Sequence, residues 1–335
     1  MLTLPLEVQL YILKYLNFNE LFAVKQTNSY FYNLINKYEG ELARMRFHHI
    51  SIIDSNIELN LYKRIEPQSG VFEFKLNDEL RKKWQTAIGK SIPVFIGDYD
   101  IEYDIVPLLC MSTADEHCRF YLLKLPTFPM NIEEMIIVRC WLERLLKCSF
   151  DHCVFNKILF NREMLNILFE APPKFHVDIP SLSSNKYIFE NMLDFILNHL
   201  ANTSLLVINF IYDDNAEQYT DILFNILINE GDKFTRIRLS RGKLTRLYGL
   251  IVEYITTTKD FSKMIAKIEL NYMRFPNFRL PERAKNVEIG ELDVFDKRST
   301  RYEIANMYDP RMKFTFTIEY RKGSISGIDI TKMNV

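Results

Sequence analysis

Glycine is scarce in this chain: 10 among 335 residues, about 3% where roughly 7% is usual. The shortage disfavours Gly-rich phosphate loops, collagen-like repeats and hairpin-dense all-β folds, which all lean on residues without a Cβ. Cysteine is thin as well, with five residues confined between Cys110 and Cys153. An odd, scattered set is no disulfide framework, so reduced thiols in a cytoplasmic or nuclear setting are expected. Charge of one sign is not in excess: 42 basic against 43 acidic side chains give a formal net charge of −1. That balance argues against tight, sequence-independent binding to nucleic acid. Long apolar runs are missing too. The strongest, Ser204 to Tyr212 and Ile132 to Leu146, are short or interrupted by charges, well under the ~18 residues of a membrane span. The first ten residues, MLTLPLEVQL, carry Pro5 and Glu7 and no Lys or Arg, unlike a secretory signal. A soluble protein with no nucleic acid and no membrane among its partners is expected.

Recognisable catalytic motifs are also absent: the sequence holds no G-x-S-x-G, no phosphate-loop G-x-x-x-x-G-K-S/T and no H-E-x-x-H. Cys148, His152 and Cys153, and a looser set of Cys110, His117 and Cys118, contain no C-x-x-C pair and read as buried thiols and surface imidazoles. The acidic groups Asp98, Asp100, Glu102 and Asp104, and the pair Asp213 and Asp214, fall in polar turns or an alternating strand and read as solvated carboxylates. His199 reads as a helix C-terminal cap. A non-enzymatic protein is expected, with no catalytic residue, cofactor or metal ligand assigned.

What is present is core material. Hydrophobic residues make up 48% of the chain, with 25 Phe and 18 Tyr, ample for a packed interior. At the N-terminus Leu4, Leu6, Leu10, Leu13 and Leu16 recur at helical spacing, with Pro5 and Glu7 in the first turn. Asn19 is a candidate cap for a second helix, Glu20 to Gln26. A third helix is expected from about Asn28 to Arg46, with Phe31, Leu34, Ile35, Tyr38 and Leu42 on one stripe. Three helices of this size carry more leucine than they can bury among themselves, so the bundle should rest on another domain or a partner.

These residues resemble the F-box family. The segment LPLEVQLYILKYLNFNELFAVKQTNSYFYNLI follows its Leu-Pro-x-Glu start, then Ile-Leu-x-x-Leu, a Leu in the second helix and an aromatic before a final Leu. The matching positions are Leu4, Pro5, Glu7, Ile12, Leu13, Leu16, Leu21, Val24, Phe31 and Leu34. The resemblance implies that residues 1–46 dock a Skp-type adaptor, and through it a cullin, while the rest of the chain holds an unknown protein substrate of the ubiquitin ligase.

After a connector at residues 47–70, ending in the turn-like Glu66-Pro67-Gln68-Ser69-Gly70, residues 71–335 read as alternating strands and helices. Strands beginning near Phe175, Leu205, Phe234 and Ile265 lie about 30 residues apart, near the leucine-rich-repeat range. The expected fold is therefore α+β: an N-terminal three-helix F-box followed by an irregular α/β leucine-rich-repeat-like solenoid. A doubly wound sheet is the alternative, although it lacks its Gly-rich fingerprint. Strand alternation directs His176, Asp178, Arg236, Arg238, Lys267 and Glu269 away from the apolar side, with Thr315, Thr317 and Glu319 on a later strand. If the sheet curves, this polar face is a candidate substrate surface. Lys233, Arg236, Arg238, Arg241, Lys243 and Arg246 make the one local basic excess. The alternative function is a non-ligase scaffold whose N-terminal helices cap the solenoid.

Overall fold

The structure, a computed structural model, describes residues 4–55, 62–67, 74–97, 106–113, 120–184, 188–211, 215–272, 278–290, 297–321 and 324–333. It is a mixed α/β molecule with N-terminal helices followed mainly by sheet. The chain forms two compact units, one of Met1–Val154, Ile158–Asp178 and Asn198–Ala201, the other of Phe155–Lys157, Ile179–Leu197 and Asn202–Val335.

The first unit opens with α1 (Leu6–Lys14), α2 (Phe18–Lys25) and α3 (Ser29–Lys37). They close on Leu13, Leu21, Phe31, Leu34, Ile35 and Leu42, with Leu10, Leu16, Val24 and Tyr38 against that core. Pro5 stands before α1 with its carbonyl accepting from the Val8 and Gln9 amides, and Glu7 lies in the first turn where the helix dipole favours an anion. The cap of α2 is Asn17 rather than the expected Asn19. Asn17 accepts from the Glu20 amide while the Glu20 carboxylate accepts from the Asn17 amide, a reciprocal pair that Asn19 has no equivalent partner to form.

The third helix stops at Lys37, short of the expected Arg46, and a single turn of 3-10 helix, Glu39–Glu41, leads into β1 (Met45–Asp54). Gly40 weakens the helix there. The expected connector from residue 47 therefore begins as strand. Ile50, Ser51 and Ile52 are all buried, so β1 is covered on both faces and lacks the alternation by which a strand is recognised.

The unit continues with β2 (Tyr62–Ile65), α4 (Asp78–Gly89), β3 (Phe95–Gly97), β4 (Pro107–Ser112), β5 (Phe120–Leu123), α5 (Ile132–Leu146), β6 (Cys148–Phe155), β7 (Ile158–Phe160), α6 (Arg162–Leu168), β8 (Phe175–Ser183) and β9 (Leu200–Ala201). Strand β1 runs antiparallel to β4 and parallel to β6; β4 pairs antiparallel with β5, and β5 parallel with β2. A separate antiparallel pair joins β3 to β7. Trp84 of α4 is fully buried and donates its indole N–H to the Ile167 carbonyl at 3.2 Å. Val71 to Lys75 alternates in sequence like a strand, but it lies mostly outside the described residues.

Asparagine does the capping in this half. Asn17, Asn28, Asn77, Asn131 and Asn161 each accept a backbone N–H from the first turn of the helix that follows, at 2.7–3.0 Å. At α5 the Glu134 carboxylate also reaches back to the Met130 amide at 2.8 Å. Asn131→Ala should lower stability by about 1 kcal/mol and Asn131→Asp should largely preserve it; urea denaturation of the three proteins checks this.

In the second unit α7 (Phe189–His199), β10 (Leu205–Asn209), α8 (Thr220–Asn229), β11 (Arg236–Ser240), α9 (Thr245–Thr257) and β12 (Lys267–Asn271) alternate. The C-terminal half of β8, then β10, β11 and β12, lie side by side, parallel and in sequence order. The chain then crosses to β13 (Lys285–Ile289) and returns through β14 (Lys297–Ala305), β15 (Lys313–Arg321) and β16 (Ser324–Lys332), an antiparallel meander whose last strand pairs with β12.

The registers align residues in rows across these strands. Tyr302, Phe316, Ile330, Ile268 and Ile237 form one row, all essentially inaccessible. Tyr248 of α9 meets that row, its hydroxyl 2.8 Å from the Tyr302 hydroxyl and its ring edge-on to Phe316. Gly231, after α8, needs its bare Cα, because a Cβ would lie 2.6 Å from the Lys263 carbonyl oxygen.

Candidate functional site

Two surfaces contain the residues singled out from sequence. On the N-terminal helices, the ten positions divide by exposure. Leu13, Leu21, Phe31 and Leu34 are buried in the three-helix core, Ile12, Leu16 and Val24 are half-buried, and Leu4, Pro5 and Glu7 are exposed. Leu13, Leu21, Phe31 and Leu34, with Leu16 and Val24 against them, thus build the bundle core, whereas Leu4, Pro5 and Glu7 lie open on its surface.

The exposed apolar surface is larger than that set. Val8 and Tyr11 on α1 and Tyr15 at its C-cap recur at helical spacing and are exposed, Tyr11 and Tyr15 at 62% and 72%, and Leu4 is exposed just before the helix. Their hydroxyls meet at 2.6 Å, and that hydrogen bond, followed by burial, raises the Tyr15 phenol above its ordinary value. Gln9, buried among these helices, donates to the Leu4 carbonyl at 2.7 Å and accepts from the Tyr30 hydroxyl at 2.8 Å, tying the start of α1 to α3. A second apolar area surrounds an open cleft of about 540 Å³ lined by Phe22, Lys25, Gln26, Asn28, Ser29 and Tyr32. The Lys25 ammonium lies 5.2 Å from the centre of the Tyr32 ring.

The segment that follows the bundle's third helix is tied to the C-terminal end of α5. Lys147 pairs with Glu39 at 3.0 Å, and Arg44 donates to the Leu146 carbonyl at 2.8 Å.

The other surface is the polar face of the second unit. Arg236 and Arg238 on β11 face Lys267 and Glu269 on β12, and Glu269 faces Asp329 on β16. The Glu269 carboxylate draws in Arg238 at 2.6 Å, Lys267 at 3.0 Å and Arg236 at 3.7 Å, and Lys267 also reaches Asp329 at 3.5 Å. Glu269 was expected to project into solvent with Lys267; it is instead buried at 5% exposure, because three long cationic side chains close over it. Burial alone would raise its pKa, but the hydrogen bonds and charges of Lys267 and Arg238 outweigh burial and hold it below the ordinary value. Asp329 goes the other way, pushed up chiefly by burial.

His176 and Asp178 do not join this group. They lie on the first half of β8, within the first unit, half-buried, and burial followed by the Arg44 charge lowers the His176 pKa. His199 ends α7 and is buried, with Nδ1 3.1 Å from the Pro173 carbonyl.

Cys148, His152 and Cys153 all lie on strand β6, which Cys148 begins. Asp151 takes Arg46 and, at 3.5 Å, His48, while the rings of His48 and His152 meet edge to face. Cys110, Cys140, Cys148 and Cys153 are free thiols; burial pushes Cys110 and Cys148 up to about 11 and Cys153 higher still. Among the described residues no three His, Cys, Asp or Glu side chains gather to hold a metal ion, and no helix is long and apolar enough to cross a membrane. His117, Cys118 and the acidic groups at 98–104 and 213–214 lie outside the described residues.

Comparison with protein-family models finds two matches: F-box domain over residues 1–40, and Domain of unknown function (DUF8381) over residues 65–211. The chain therefore carries an F-box domain, on the helices whose exposed stripe is described above. F-box domains bind Skp-type adaptors within SCF complexes, and the proteins that carry them are generally adaptor or receptor subunits rather than enzymes; no catalytic family is indicated. No curated protein and no solved structure matches the chain.

Proposed function

We propose that this protein is a substrate receptor of an SCF-type ubiquitin ligase. The N-terminal helices dock the Skp-type adaptor and, through it, a cullin; the sheet-bearing remainder, from β1 onward, holds a protein target. The observation that carries the reading is the F-box match over helices that leave Leu4, Val8, Tyr11 and Tyr15 uncovered. Such a stripe is unusual on a free-standing bundle and suited to a partner's groove. The receptor works by proximity: it holds a target beside a ubiquitin-loaded enzyme of the same assembly and raises their effective concentration.

For the target-binding part we favour an irregular α/β solenoid. Support comes from parallel strands laid down in order and from the 31-residue separation of facing residues such as Arg238 and Glu269. Its polar face, with Arg236, Arg238, Lys267 and Glu269, is the proposed target surface, and free thiols fit a cytoplasmic or nuclear site of action.

Co-purification of the full chain with a recombinant Skp-type adaptor tests the docking. Tyr11→Asp should weaken capture at least about tenfold, or 1.4 kcal/mol, with an unchanged circular dichroism spectrum and melting temperature. A folded parent that captures no adaptor would remove the reading.

A further inference from the structure

The charges on the polar face of the second unit are not balanced where a partner would meet them. Arg236, Arg238 and Lys267 keep 39%, 37% and 35% of their side-chain surface, while Glu269, which they share, keeps 6%. Glu269 is thus spent inward, and the outer layer sets three cations against one exposed carboxylate, Asp329, whose side chain keeps 41% of its surface. Asp329 at the edge of the group is paired with Lys267. Arg241 and Lys243 follow just beyond the end of β11, both exposed.

The spacing is that of an extended peptide. Arg236 and Arg238 are two residues apart on one strand, so their side chains leave the same face roughly 7 Å apart, and Lys267 lies one strand over, about 4.8 Å away. An extended chain presents alternate side chains with that same repeat. Glu269 fixes the three cations before any partner arrives, which lowers the entropy lost on binding.

We infer that this face binds an acidic segment of the target protein, in extended form, with carboxylates at alternate positions meeting Arg236, Arg238 and Lys267. This rests on the receptor reading above and specifies its target by chemistry.

The test uses the full chain and a fluorescein-labelled ten-residue peptide of alternating Glu and Ser, read by fluorescence anisotropy at 50 mM and 200 mM salt. Binding should be seen, weaken with salt, and fall at least tenfold in Arg236→Gln/Arg238→Gln. It should change less than twofold in Arg279→Gln/Arg283→Gln, which removes the same charge elsewhere on the surface. If the first pair melts early, Arg236→Gln alone, the loosest of the three contacts at 3.7 Å, should still weaken binding at least threefold. No binding by the parent, equal loss in both pairs, or tighter binding of a ten-nucleotide uridine RNA than of the peptide would overturn the inference. Adaptor capture by the same preparations separates the two readings: capture without peptide binding sinks the acidic target alone, and a folded parent without capture sinks the receptor.

Discussion

Leu13→Ala is expected to cost the N-terminal bundle about 3 kcal/mol, near the middle of the range for leucine truncation in a core. Leu13 is wholly inaccessible and sits at the centre of a cluster of six buried side chains. A core this small has little to repack with, so most of the cavity should remain. Hydrogen exchange should show the amides of α1, α2 and α3 losing protection while those of β1, β4 and β6 keep theirs. A cost under about 1 kcal/mol would mean that the bundle collapses around the gap and that its core is looser than its burial indicates.

The same variant should lose adaptor binding, and that loss would say little about docking. Leu13 and Tyr11 stand two residues apart on one helix and face opposite ways, one at the centre of the core and one 62% exposed. A binding defect at Leu13 travels through unfolding; a defect at Tyr11 in a folded protein is a defect of contact. Pairing the two substitutions separates the roles, which the family pattern by itself does not, since it contains Leu13 and passes over Tyr11.

Much of the helical structure was legible in the sequence because amphipathic helices announce themselves by period. Leu80, Trp84 and Ile88 at helical spacing predict a helix from Asp78 to Lys90, which is α4, Asp78–Gly89, and the pattern from Glu133 to Lys147 predicts another, which is α5, Ile132–Leu146. Strands at Phe175, Leu205, Phe234 and Ile265 correspond to β8, β10, β11 and β12 within two residues. What escaped was the strand without alternation. All six residues of β4, Pro107–Ser112, are buried, so nothing in their pattern distinguishes inside from outside. Strands β14 and β16 are equally hard to see in the sequence: polar and charged side chains such as Arg301, Glu303 and Asp329 occupy their open face, and the repeat spacing ahead of them carries no sign of a closing antiparallel meander.

The candidate site was legible in its members more than in its geometry. Alternation placed Arg236, Arg238, Lys267 and Glu269 on one face, and they do meet. It could not assign exposure within that face, because whether a carboxylate is covered depends on cross-strand neighbours 31 residues away. For the same reason His176 and Asp178, equal members of the set by alternation, fall in a different unit. Gln9 carried no signal at all: a glutamine on a leucine-rich helix reads as its polar side, yet it is buried and tied to both Leu4 and Tyr30.

Glu269→Ala is expected to destabilise the second unit by about 2–3 kcal/mol, somewhat below the cost of breaking a fully buried ion pair because its three partners each reach solvent. Removing the carboxylate leaves Arg236, Arg238 and Lys267 close together with no counter-charge among them but Asp329, which Lys267 holds at 3.5 Å. Glu269→Gln keeps the shape and should lose less. The dependence on pH follows from the direction of the shift. Glu269 is held below its ordinary value of 4.5, so its stabilisation is complete above the unfolded value and is lost as pH falls through the lower folded one. Asp329 is raised instead and takes up its proton first. That uptake favours the folded state and relieves repulsion with Glu269, its facing residue on the neighbouring strand. The parent should therefore hold its melting temperature down to about pH 4 and drop below it, whereas Glu269→Gln, already without the charge, should show a shallower fall over the same interval. Thermal melts of parent, Gln and Ala variants at pH 7, 4 and 3 measure all of this. An Ala variant within about 0.5 kcal/mol of the parent at pH 7 would show that Glu269 is not the anchor of the cationic layer, and the ordering of Arg236, Arg238 and Lys267 would then need another source.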